Sequence, residues 1–395
     1  MLKHTLLLTS LLSFAFAQSA EDFAKEQMQG FSQEQSGFDI YKKSQEEAFA
    51  AYEQEQMQAY NDYKKEIGAL WDDPKLSTKK KMVNYTEDKK TRTDVDFEKE
   101  SIQVETIASS PQEAEQKLKE ALSKVITIDT KELQESDPLE QKLAKVKKPV
   151  EVKDDKVDAK PILAPVLFEK KPTQADVDSY VSTHVKPSKI QSTDTTKLPH
   201  QKVYSISVKL PSDTMLKRSQ VYYQDVKKEA SRQKIPLPLV FAIMHSESSF
   251  NPKARSHIPA YGLLQIVPKS AGIDAYNFLY KQKKLVSGSY LYNSKNNIEM
   301  GVAYMHILYY KYLKDIKDPD ARLYCTIAAY NTGAGNIAWA FTKSYNMKKA
   351  APIINSFSPQ EVYNRLLRDL RYDEPKHYLK NVTKRMGPYY QHYGA

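Results

Sequence analysis

Glu247-Ser248-Ser249-Phe250-Asn251-Pro252-Lys253-Ala254-Arg255-Ser256 decides how the rest of the chain is read. A helical pattern leads into it. Pro236 and Pro238 mark a helix start, where a missing N–H costs little, and Val240, Ile243 and Met244 follow at i, i+3 and i+4. Glu247 completes that stripe at i+7. A carboxyl on an apolar stripe is awkward, because burial penalises its charged form and raises its pKa. A raised pKa is what a general acid needs near neutral pH. Glutamates at helix ends more often reach out to water, so Glu247 alone decides nothing.

Two further blocks lie downstream, Gly262-Leu263-Leu264-Gln265-Ile266-Val267-Pro268 and Ala328-Ala329-Tyr330-Asn331-Thr332-Gly333-Ala334-Gly335-Asn336, with Asn297-Ile298, Gly301 and Tyr304 between them. In this order and spacing the set resembles the transglycosylase (SLT) domain of lytic murein transglycosylases. Farther upstream, Trp71-Asp72-Asp73, Asn84-Tyr85-Thr86 and Val104-Glu105-Thr106-Ile107 resemble the N-terminal domain of membrane-bound lytic murein transglycosylase C, as does the strand-like Val203–Val208.

The resemblance implies an α+β protein: a mostly helical, lysozyme-like C-terminal catalytic domain joined to a smaller α+β N-terminal domain. It implies cleavage of the β-1,4 bond between N-acetylmuramic acid and N-acetylglucosamine in peptidoglycan, with Glu247 acting first as acid and then as base. The muramic acid C6 hydroxyl then closes a 1,6-anhydro ring, and no water is consumed. By the same resemblance Ser256 and Gln265 line the substrate, Tyr330 and Asn331 face the N-acetyl group, and Glu374 with Tyr378 forms a Glu-x-x-x-Tyr border of the glycan groove. Leu264 stands where the family usually has methionine, a tolerant apolar swap. Tyr261, where a small residue before the glycine is commoner, is expected to place an aromatic ring near the cleft. Two alternatives stay open: a goose-lysozyme-type hydrolase with a water nucleophile, and a non-catalytic glycan-binding scaffold.

Composition sets the outer limits. The chain has 395 residues, 59 Lys+Arg against 49 Asp+Glu, and 41% hydrophobic residues, enough for a real core. Of its 11 glycines none falls between Gly68 and Gly262, and eight lie from Gly262 onward, so tight turns and close approaches concentrate in the last third. The expected organisation is a signal peptide over 1–17, a long amphipathic helix over 18–68, the N-terminal domain over 69–210 and the catalytic domain over 211–395. Lys3 and the apolar run Leu6–Ala17 are too short to span a bilayer comfortably, and Ala15-Phe16-Ala17 fits a cleavage site. Export to the periplasm follows as the expectation. With no cysteine near that site, no lipid anchor is expected there, which leaves peripheral membrane association open.

Within 18–68 the pairs Phe38/Tyr41, Phe49/Tyr52 and Tyr60/Tyr63 recur every 11 residues, so the rings line one helix face. That face suits packing on the protein itself; the sharper reading is contact with cell-wall assembly or secretion proteins. Asp94–Phe97 and Ser101–Ile107 alternate as a hairpin, residues 111–127 carry helical spacing, and 130–200, with seven prolines, reads as short elements and mobile loops. The run Lys79-Lys80-Lys81 reads as a solvated surface, and no aromatic-interleaved basic module suggests nucleic acid. Cys325 in an apolar helix reads as an inert buried thiol. Histidine spacing suggests no metal site, no phosphate loop is present, and no cofactor is expected.

Overall fold

The computed structural model describes residues 47–211, 214–256 and 259–394. The expected signal peptide and the Phe38/Tyr41 pair lie outside them. Two compact units emerge, one comprising Met1–Gln58 with Val146–Pro149, the other Ala59–Lys145 with Val150–Ala395.

A helix covers 47–70. In the first unit the Phe49 and Tyr52 rings lie 6.1 Å apart, and Gln56 donates to the Tyr52 hydroxyl at 2.6 Å. In the second unit the later part of the aromatic face is core: Tyr63 and Ile67 pack with Trp71, Val83, Tyr85 and Ile107.

That cluster backs a five-stranded sheet in the order β1-β2-β3-β6-β5, built from β1 (Lys81–Tyr85), β2 (Thr91–Asp96), β3 (Ser101–Ala108), β5 (Gln191–Asp194) and β6 (Lys202–Lys209). All neighbours are antiparallel, and the hairpin expected from the alternation is β2–β3, with Val95 opposite Ile102. Alternation along β6 puts Tyr204, Ile206 and Val208 inside. The helix Pro111–Thr127 covers that face with Ala114, Leu118, Leu122, Val125 and Ile126, started by a Ser110 side-chain cap and Pro111. Burying each of its leucines contributes about 1.5–3 kcal/mol before chain entropy is charged.

Segment 130–200 is more regular than its prolines suggest. Asp129, Asp137 and Thr173 each cap a helix, at Thr130–Ser136, Pro138–Ala144 and Gln174–His184. Pro138 sits at a helix start, so a residue that reads as a breaker acts as a starter. The two-residue strand β4 (Val152–Lys153) runs parallel to β7 (Leu285–Val286) of the helical part. Continuing from it, the Lys156 carbonyl accepts from Asn293 Nδ2, and the Asp158 carboxylate accepts from the Ser294 N–H at 2.8 Å and hydroxyl at 2.5 Å.

From Thr214 onward the chain is almost wholly helical. The helix Leu237–Ser248 is buried nearly all round, with every residue from Leu239 to Met244 at 1% exposure or less. A helix apolar on every side belongs at the centre of a domain. Asp373–Tyr393 packs along it, stacking Tyr389 and Tyr393 on Phe241 at 5.6 and 4.7 Å. Gly301, on the helix Ser294–Ile307, lets Leu264 approach: a Cβ there would fall 2.3 Å from Leu264 Cδ1 and 2.8 Å from its Cβ. Gly301→Ala is expected to destabilise by about 1–3 kcal/mol through overpacking. A denaturant midpoint measures it, and an unchanged midpoint contradicts this packing.

Candidate active site

Glu247 lies in the last turn of Leu237–Ser248. The chain reverses immediately after it, because Ser249 and Phe250 both take left-handed backbone (φ 50° and 63°). Neither is glycine, so the reversal is strained and needs outside support. Ser248 supplies part: its hydroxyl donates to the Leu263 carbonyl at 2.8 Å and accepts from the Phe250 N–H at 3.1 Å. The remaining support comes from the segment that leads into β1. Asn251 Nδ2 donates to the carbonyls of Thr78, Lys79 and Lys81 at 3.2–3.4 Å. Lys80 Nζ donates to the carbonyls of His245 and Ser246 at 2.8 and 2.7 Å and to Ser249 Oγ at 3.0 Å. A cation at a helix C-terminus also meets the negative end of its dipole.

Glu247 is only 6% exposed. Burial raises its pKa above the usual carboxylate range; Lys79, the Tyr378 hydroxyl and Lys80 pull it back, and Glu374 adds to the rise. The Tyr378 hydroxyl is buried, is itself pushed far up by burial and by Glu247, and completes no hydrogen bond of ordinary geometry. The two groups are close enough to tune one another but do not form a well-made bond. Tyr330 approaches from the end of the helix Pro319–Thr332, donating to the Leu264 carbonyl at 2.8 Å; burial first, then the Glu247 charge, raises its pKa. Glu374 stands in the first turn of Asp373–Tyr393, exposed, with Lys79 Nζ at 3.9 Å. His245 is no proton partner for Glu247. Burial, with Arg385, Lys80 and Arg218 nearby, takes its pKa down to about 2, and its Nδ1 lies 3.1 Å from the Tyr389 hydroxyl.

The loop opposite is built on Gly262 and Asn297. Gly262 has φ +74°, and a Cβ there would meet Asn297 Nδ2 and the Leu291 carbonyl at 2.4 Å. Asn297 accepts from Leu264 N–H at 2.8 Å and donates to the carbonyls of Tyr261 and Leu291, both at 2.8 Å. Gln265, at φ 49°, donates to the Ala254 and Gly262 carbonyls at 3.1 and 3.0 Å, leaving its Oε1 buried and unpartnered.

Residues 224–353 match the transglycosylase SLT domain, and residues 43–155 match the N-terminal domain of membrane-bound lytic murein transglycosylase C. A membrane-bound lytic murein transglycosylase C of Serratia proteamaculans is 32% identical over 313 residues, covering 78% of this chain and 82% of that one. The chain belongs to the membrane-bound lytic murein transglycosylase C family. A relative of the same name from Sodalis glossinidius is 38% identical over 183 residues, 46% of this chain and 50% of its own. Among solved structures, the 70 kDa soluble lytic transglycosylase of Escherichia coli is 23% identical, covering 46% of this chain and 26% of that one, with a TM-score of 0.36.

In this member of the family the anticipated site residues divide. Glu247, Tyr330, Glu374 and Tyr378 interact with one another around the carboxyl. Asn331 is half-buried next to Tyr330 in the chain. Gln265 braces its loop, and Ser256 Oγ accepts from the Ala260 N–H at 2.9 Å. Tyr261 is 6% exposed, edge-on to Tyr292 at 5.5 Å and against Gly288, with Arg255 at 5.5 Å. Its ring is therefore core packing rather than an open aromatic face. The lysine run also needs correction: Lys80, read as solvated surface, is half-buried and turns its ammonium onto the last carbonyls of the Glu247 helix. Cys325 is buried, and burial raises its thiol pKa. Among the described residues no cluster of three or more His, Cys, Asp or Glu is placed to hold a metal, and no helix is long and apolar enough to cross a membrane.

Proposed function

We propose that the chain is a periplasmic lytic transglycosylase that cleaves the β-1,4 bond between N-acetylmuramic acid and N-acetylglucosamine and leaves a 1,6-anhydromuramic end. The observation that carries this is the Glu247 carboxyl, buried and raised in pKa beside two tyrosine hydroxyls. Such a carboxyl keeps its proton to higher pH than an ordinary glutamate and gives it to the leaving glycosidic oxygen as the C1–O bond breaks. The N-acetyl oxygen steadies the cationic sugar. The ionised Glu247 then takes the proton from the C6 hydroxyl while that oxygen bonds to C1, restoring the acid. The internal hydroxyl is held beside its target, so it competes well with water. Tyr378, whose hydroxyl has an unused bonding capacity, is placed to steady Glu247 in its ionised form.

Glu374 favours a second reading. It is another carboxylate acting on Glu247, and a water-using glycosidase needs a second carboxylate to activate its nucleophile. Mass spectrometry of products from purified peptidoglycan separates the two. The expected fragments end in anhydromuramic acid, one water lighter than hydrolysed ones and resistant to borohydride. Reducing muramic acid ends would make the protein a hydrolase and overturn the mechanism.

A further inference from the structure

A group of aromatic rings surrounds one guanidinium beside this site. Arg371 Nη1 donates to the Tyr345 hydroxyl at 3.1 Å, and its guanidinium lies 5.5 Å from the Tyr372 ring and 5.9 Å from the Trp339 ring. Lys343 Nζ sits 4.0 Å from the Trp339 ring centre. Despite these contacts Tyr345 is 60% exposed and Tyr372 54%. Rings this large are usually covered, so two of them held open together mark a surface that meets something.

Their anchorage says what. Tyr345 lies on Gly335, where a Cβ would come within 3.3 Å of its Cδ1. Gly335 lies in the first turn of the helix Ala334–Thr342, joined through Gly333 to the end of the helix that carries Tyr330 and Asn331. Tyr372 is the residue before the Asp373–Tyr393 helix, two positions ahead of Glu374. One ring thus packs on the helix that follows the one carrying Tyr330, and the other opens the helix carrying Glu374 and Tyr378, so the surface adjoins the elements of the catalytic region. Its chemistry is also specific. A pyranose offers an apolar C–H face to an aromatic ring and a rim of hydroxyls and amides to donors, and here open rings stand beside the donors of Arg371 and Lys343. A membrane surface calls for a broad apolar face and has no reason to adjoin the helix that follows Tyr330.

We infer that Tyr345 and Tyr372, braced by Arg371 and Trp339, form a shelf that holds a β-1,4-linked N-acetylhexosamine strand away from the bond being cut. The inference rests on glycan cleavage at Glu247. The shelf engages only strands long enough to reach it, so it sets a preference for longer glycan.

The test compares kcat/KM on long purified glycan strands with that on short muropeptide oligomers, for the parent and for Tyr345→Ala/Tyr372→Ala. The preference for long strands is expected to fall about tenfold, the loss of a stacking contact or two. An unchanged preference overturns the shelf. A Tm shift in the double variant is resolved by the single replacements, each of which is expected to lose part of the preference. A separate arm keeps the inference distinct from the reaction. Glu247→Gln protein is titrated calorimetrically with the β-1,4-linked N-acetylglucosamine hexamer, with and without the two tyrosine replacements. Weaker binding in the replaced protein supports the shelf even if no turnover is found; equal binding, or none to either, refutes it whatever the reaction proves to be.

Discussion

Glu247→Gln is expected to lower peptidoglycan turnover by about 10²–10⁴-fold, the range over which a positioned acid–base group contributes, and to leave the protein more stable at neutral pH. The amide keeps the carboxyl's shape but can neither give nor take the proton. The stability gain follows from the direction of the pKa shift. Burial raises the folded-state pKa of Glu247 above its unfolded value. Between the two values the folded chain binds more protons than the unfolded one, so this group's contribution falls as pH rises through that window. Below about pH 4, the ordinary glutamate range, both states are protonated and parent and variant should melt alike. Above the raised pKa the parent carries a buried charge that the variant lacks, and the variant melts higher. Scanning calorimetry from pH 4 to 8 with a parallel turbidity assay measures both. Turnover close to the parent's removes Glu247 from the chemistry and lifts the scaffold reading. A Tm gain that is largest at acid pH contradicts the burial argument.

What could be read from the residues alone was what lies close together along the chain. The block from Glu247 to Ser256 is continuous in sequence. Its partner loop needs only a glycine at φ +74° and the Asn297 hub, and both fall within recognisable blocks. The β2–β3 hairpin and the Pro111–Thr127 helix were legible for the same reason: periodicity and caps are local. Contacts between distant segments were not legible. The pairing of β4 with β7 joins Val152 to Leu285 through two residues on each strand, too little to leave a pattern. Asn251 is quoted in the catalytic block, yet nothing in the sequence says that it binds the carbonyls of Thr78, Lys79 and Lys81. Nor does the sequence say that the Tyr261 ring packs on Tyr292 and Gly288, which lie far along the chain. A lysine triplet gives no sign of which member turns inward.

Lys80→Met tests that inward lysine, and its expected result is a fall in kcat of about 10–100-fold with little change in KM or Tm. The ammonium fixes the last carbonyls of the Glu247 helix and the Ser249 hydroxyl, at the point where two left-handed residues reverse the chain. Methionine fills much the same space without donors. The reversal then relaxes, and a displacement on the order of 1 Å at a reacting group costs about 100-fold. Stability should respond far less, because two effects oppose each other. The lost hydrogen bonds to a charged donor are each worth about 1.5–3 kcal/mol. Against them, burial draws the Lys80 pKa down to about 8, so at neutral pH its charge is carried at a cost that the variant escapes. From pH 8 toward the ordinary lysine value the unfolded chain binds more protons than the folded one, so the parent should gain on the variant across that window. The rate profile carries a further signature. Lys80 favours the ionised form of Glu247, so its removal raises the Glu247 pKa and moves the alkaline limb of kcat to higher pH. A passive packing residue would lower Tm and leave that limb in place. An unchanged kcat would show that the segment before β1 holds the helix end without governing the carboxyl. A lower kcat with the limb displaced upward would make the N-terminal sheet's leading segment part of the machinery that positions Glu247.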